Sequence, residues 1–198
     1  MDAKVKHVTA QSTGTPELVL TTALRLFTEH GYFNTSVHDI GRAAGVSIGS
    51  IYHHFKDKEG IAKALYDQLV ARMGAALDAI EAEHTTTHDR CRAVVALLLD
   101  IATAEPQVMA YMLRAQHQEF ISGGSPVCSS KPFAQMRAMV RTGMARGEVR
   151  EMEPVVAASA LFGGPLRMVS LHLDGLLERP LKDYLDPLWE AAWRAVAA

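Results

Sequence analysis

The sequence predicts an all-α protein with a small N-terminal three-helix domain and a larger C-terminal helical domain. Three observations carry this prediction. Apolar residues recur at helical spacing, as in Leu20, Ala23, Leu24 and Phe27 at i, i+3, i+4 and i+7. Cap residues and prolines open successive segments, and glycines close them. No segment sustains the period-2 alternation of a strand.

Taken in order, residues 1–14 are polar and aperiodic and read as a flexible arm. Thr15-Pro16-Glu17 reads as cap, first-turn proline and first-turn acid of a helix that Gly31 stops. Val37–Ala44 is a short helix capped by Thr35 or Ser36, with Gly45 as its breaker. Ser47 caps a second short helix, Ile48–His54, and Asp57 caps a long one to about Ala82. His84–His88 interrupts the pattern. Arg90–Ala104 is apolar on nearly every face, as expected of a helix central to the body. Pro106 opens a stretch running to about Ile121, and Ser122–Lys131 is a loop by composition. Pro132–Gly147, Pro154–Leu177 and a last helix from Asp186-Pro187 to Val196 complete the chain.

Of 198 residues, 48% are apolar and 21% charged, which is ordinary for a globular protein. The longest uninterrupted apolar run, Ala93–Leu99, is too short to span a membrane, and the first residues carry no secretory signal. Two cysteines, Cys91 and Cys128, do not make a disulfide framework. The expectation is a cytoplasmic protein without membrane contact. Net charge is −2, and residues 1–60 carry six Lys/Arg against six Asp/Glu. Charge therefore does not point to nucleic acid; pattern and geometry must.

The pattern lies in Thr35–Ile61, TSVHDIGRAAGVSIGSIYHHFKDKEGI. Two short helices joined through Ala44-Gly45-Val46-Ser47 make a tight helix-turn-helix, at about residues 36–55. Ile40, Ala43, Val46 and Ile51 are placed to pack the pair on the first helix. Ser47, Gly49, Ser50, Tyr52 and His53 then project outward, short or polar as an element entering a major groove requires. Gly49 costs about 1 kcal/mol relative to Ala in a helix, and close approach to DNA is one reason to keep it.

Together with Leu24-Arg25-Leu26-Phe27 and Gly31-Tyr32, this block closely resembles the TetR family of repressors over about residues 13–73. The rest resembles the family only in length and helical character. The resemblance implies that Thr35 and Ser36 bind a phosphate at a helix start. It implies that Ser47, Gly49, Ser50 and His53 face base edges or the nearby backbone, and that Tyr52 and Lys58 hold phosphates. His54 and Phe55 would pack the recognition helix on its support. Many relatives carry Lys where this chain has Ile48, which leaves few cationic contacts and a shallow salt dependence. Lys4, Lys6 and His7 read either as a solvated tail or as a minor-groove arm.

The expected domains are thus a DNA-binding domain at 15–60 and a ligand-binding and dimerisation domain at 61–198. A palindromic operator calls for a homodimer. The expected seam pairs 155–177 with 187–196, with Leu161, Phe162, Gly163, Met168, Leu171, Trp189 and Trp193 as candidates. Met109, Met112, Phe120, Phe133 and Met136 read as core or as the wall of an adaptable apolar pocket, where Arg114 and His117 would orient a small-molecule effector. His84, His88 and Cys91 stand at i, i+4 and i+7, but Thr85-Thr86-Thr87 argues for a loop and cap, so no metal site is expected. No cofactor motif, phosphate-cradling glycine loop or nucleophile elbow is present, so no enzyme is expected. The expected function is a ligand-released repressor. A redox-responsive regulator acting through Cys128, and a DNA- or partner-binding protein without ligand, remain alternatives.

Overall fold

The computed structural model describes residues 14–122 and 129–198. Among them are nine α-helices and no strand, with one isolated bridge between Val149 and Ala197. The chain divides into two compact units, Met1–Ile61 and Ala62–Ala198.

The first unit contains α1 (Thr15–His30), α2 (Val37–Ala44) and α3 (Ile48–Phe55). The cap of α1 is Gly14, one residue earlier than expected, because the Glu17 carboxylate reaches back to accept from its N–H at 2.6 Å. Serines cap the next two helices. Ser36 Oγ accepts from the Asp39 N–H at 3.1 Å, and Ser47 Oγ from the Ser50 N–H at 3.2 Å. Between them Gly45 takes the left-handed conformation, φ 66°.

Val19, Ala23, Ile40 and Ile51 are fully buried and form the centre of this unit. Ala43, expected inside, is exposed, and Val46 is only half-buried. Gly41 holds the inner position instead. A Cβ there would lie 2.8 Å from Ile48 Cδ1 and 3.1 Å from the Val46 carbonyl oxygen. The turn between α2 and α3 is therefore packed on a bare backbone.

α4 (Lys58–Glu83) follows α3 after two residues. Lys56 takes φ 63°, uncommon for a residue with a side chain, and the Asp57 carboxylate accepts from the Gly60 N–H at 2.7 Å. A Cβ at Gly60 would sit 1.9 Å from the Phe55 carbonyl oxygen, so this junction admits no side chain.

The second unit holds most of α4, then α5 (Thr87–Ala104), α6 (Pro106–Arg114), α7 (Lys131–Ala145), α8 (Pro154–Leu173) and α9 (Leu185–Arg194). Thr86 caps α5 by accepting from the Asp89 N–H, so α5 starts three residues before the expected Arg90. α5 contacts α6, α7, α8 and α9 and buries Val94, Val95, Leu98 and Leu99, as expected of a central helix. α6 ends at Arg114, well short of the expected Ile121. Ala115 is extended, and a 3-10 turn at His117–Glu119 brings His117 inside, 4% exposed. By length and composition α8 is apolar enough to cross a membrane, as no segment was expected to be; α5 and α6 pass only as a pair bent by 110°. Here α8 packs on α5, α7 and α9, burying Ala157, Leu161, Phe162 and Val169.

Candidate nucleic-acid interface and internal cavity

Only Ile51 and Phe55 of α3 are buried. These anchors turn Ser47, Gly49, Tyr52, His53 and His54 to the surface, with Ser50 half-exposed. A Cβ at Gly49 would meet nothing within 4 Å, so no contact inside the protein requires glycine there. His54, expected to pack inward, is exposed. Ile48 lies against Gly41, which accounts for an apolar residue at this position.

Ser36, His38, Tyr52 and Lys58 line a shallow groove together with Phe33, which is 66% exposed and was not singled out by the sequence. Three of the expected phosphate ligands depart from a free donor geometry. Thr35 is buried, and its hydroxyl donates to the carbonyls of Gly31 (2.9 Å) and Leu26 (3.3 Å). It ties α2 to α1 and has no hydroxyl left for a phosphate. Ser36 Oγ donates to Asp39 Oδ2 at 2.5 Å while accepting from the Asp39 N–H. Hydrogen bonds from the Ser36 side chain and backbone hold the Asp39 carboxyl below its usual range. A carboxylate thus sits at the α2 N-terminus, where a phosphate would be drawn. Lys58 Nζ donates to the Tyr32 carbonyl at 3.0 Å and lies 4.2 Å from the Tyr32 ring centroid. Burial lowers its pKa.

In the second unit a cavity of about 100 Å³ opens between α4, α5, α6, α7 and α8. Leu69, Met73, Leu98, Met109, Met112 and Phe133 are among its walls. Met109, Met112 and Phe133 were expected there; Arg114, His117, Phe120 and Met136 are not part of the lining. The Arg114 guanidinium is exposed and donates to Asp174 Oδ1 at 2.7 Å. His117 is ringed by Tyr66, Tyr111 and Phe120, with centroids 4.8, 4.8 and 5.6 Å away. Among the described residues its Nε2 has no hydrogen-bond partner, and burial pushes its pKa down to about 4. Phe120 serves this cluster, and Met136 is core at 3% exposure. Arg72 was missed: among the described residues it is the single ionisable member of the lining. Its place beside Met73 and three residues after Leu69 on α4 was the available signal.

Of the expected seam, Leu161, Phe162 and Trp189 are buried within the chain and have no surface to offer a partner. Gly163 is exposed, and Met168, Leu171 and Trp193 are half-buried. Val155 and Val156, 54% and 56% exposed, supply apolar surface on α8 in their place. His88 accepts from Trp189 Nε1 at 3.0 Å and is bonded to Asp89 through Nδ1, while Cys91 is fully buried with its thiol pushed up to about 12. No group of three metal-ligating side chains converges among the described residues. Cys128, Lys4, Lys6 and His7 lie outside the described residues.

Residues 19–65 match the family described as bacterial regulatory proteins, tetR family. The chain is 40% identical over 60 residues to the HTH-type transcriptional regulator AcrR of Shigella flexneri, a match covering 30% of this chain and 28% of that protein. It is 26% identical over 153 residues to the HTH-type transcriptional repressor BepR of Brucella suis, covering 73% of each. The fold is that of the transcriptional regulator FadR from Bacillus subtilis in complex with stearoyl-CoA, with TM-score 0.73, 20% identity and coverage of 88% and 96%. Over its N-terminal domain the chain is thus similar to the tetR family of bacterial regulatory proteins, and it spans under a third of the length of the AcrR regulator it matches.

Proposed function

We propose that this protein is a transcriptional repressor that binds a palindromic operator in double-stranded DNA as a homodimer and is released by a small, mostly apolar molecule. The observation that carries the reading is the outer face of α3. Ser47, Gly49, Ser50, Tyr52 and His53 stand on a helix held by two buried anchors, short enough for its backbone to enter a major groove. Ser50 and His53 read bases, while Tyr52 and Lys58 hold the phosphate backbone. BepR is named a repressor, which supports the sign of regulation.

The effector reading rests on the cavity between α4 and α8, whose walls are almost wholly apolar. The FadR structure in complex with stearoyl-CoA supports it, because a protein of the same fold takes an acyl ligand. Effector and operator must then weaken each other reciprocally. The dimer reading rests on the α8 surface around Val156, Ser159 and Gly163, small residues that let helices approach closely. The cell's cytoplasm, where operator DNA lies, is the expected location.

Mobility-shift titration with DNA flanking the protein's own gene, with light scattering on the same sample, tests the reading. Sequence-selective binding by a dimer is expected. A monomer without preference over random duplex would contradict it.

A further inference from the structure

The cavity bears a charge arrangement that restricts what it can take. Among the described residues Arg72 is the one ionisable member of its lining, and its guanidinium is already engaged. Nη1 donates to Glu105 Oε2 at 2.7 Å, and Nη2 donates to Glu105 Oε1, a two-pronged pair joining α4 to the corner between α5 and α6. The one ionised side chain of the described lining is therefore already paired with a carboxylate.

We propose that the Arg72–Glu105 pair makes this cavity selective for uncharged hydrophobic molecules and excludes carboxylate and ammonium amphiphiles. The inference rests on the reading of the cavity as the effector site. A carboxylate entering beside Arg72 either lies next to Glu105 or displaces it. Displacement only exchanges one carboxylate for another, and Glu105, held on the same chain, has the advantage of high effective concentration. The entering anion meanwhile gives up its hydration in an apolar site. An ammonium group meets Arg72 with no free carboxylate to pair with. A neutral ligand has neither cost and gains about fourfold in affinity per buried methylene. A volume of about 100 Å³ suits a small ring or short chain, since an engineered apolar cavity of about 150 Å³ takes benzene.

The test is calorimetric titration of the full-length protein at pH 7.5 with 1-hexanol, hexanoate and hexylammonium. The alcohol should bind at least about tenfold more tightly than either ion. Glu105→Gln removes the competing charge from Arg72, so hexanoate should gain about tenfold while hexanol changes by less than about twofold. Hexanoate binding as tightly as hexanol to the unaltered protein, or no gain in Glu105→Gln, would overturn the selectivity. Binding of none of the three, or unchanged binding in the cavity-filling variant Ala76→Phe, would instead overturn the cavity as the site, and the selectivity with it. Should Ala76→Phe not fold by circular dichroism, Leu97→Trp fills the same space.

Discussion

Helices α3 and α5 bury their residues in opposite proportions. α3 has eight residues and buries Ile51 and Phe55. α5 has eighteen and buries eight, among them Val94, Val95, Leu98 and Leu99, while touching four other helices. α5 spends its sequence on the interior of its own unit. α3 is fastened by two anchors and one serine cap, and most of its side chains face outward. A substitution on α5 should therefore register in stability, and one on the outer face of α3 in what the protein binds.

The largest expected effect lies on the α5 side. Leu99→Ala should cost about 3 kcal/mol of unfolding free energy in denaturant titration, with DNA affinity per folded molecule unchanged. A loss of affinity without loss of stability would break the contrast. The same unit holds His117, whose neutral form the fold favours. With its pKa lowered to about 4 in the folded state against 6.5 unfolded, the unfolded chain binds more protons between these values. Stability should be complete above about pH 6.5 and fall by at most about 3 kcal/mol as pH drops toward 4. His117→Phe should flatten that fall, as thermal melts across the range would show.

On the α3 side the effects are smaller and appear in binding. Tyr52→Phe should weaken all duplexes alike, by about 1 kcal/mol, if its hydroxyl meets a phosphate. Lys58→Ala should do the same, with a measurable loss of stability besides, because its ammonium also holds the Tyr32 carbonyl. The smallest expected change is a gain. Asp39→Asn removes a negative charge from the α2 N-terminus and should tighten binding a few-fold at low salt, by about 0.5 kcal/mol. A weakening in filter-binding titration would show that Asp39 is needed to present Ser36.

Local chemistry made the first unit legible. Ser36, Gly45 and Ser47 act within three or four residues of themselves, so their roles as caps and turn were readable from spacing. What failed depended on partners far along the chain. Thr35 looks like a cap until the Leu26 carbonyl, nine residues away, claims its hydroxyl. Ala43 and Gly41 share a helix, and only the approach of Ile48 decides that the glycine goes inside. In the second unit, helical periodicity identified α5 as central, but apolar spacing alone could not separate wall from core. Met109 lines the cavity and Met136 does not, though both are 3% exposed. Arg114 meets Asp174 and Arg72 meets Glu105 across separations that no local pattern encodes.

The central claim, that the outer face of α3 reads DNA, is tested most directly by selecting preferred duplexes from a random pool with the unaltered protein, Ser50→Ala, His53→Ala and Tyr52→Phe. The account predicts one palindromic preference for the unaltered protein. Ser50→Ala and His53→Ala should relax it at single positions, and Tyr52→Phe should leave it intact at reduced affinity. Equal losses at every position from all three variants, or no preference to begin with, would contradict it.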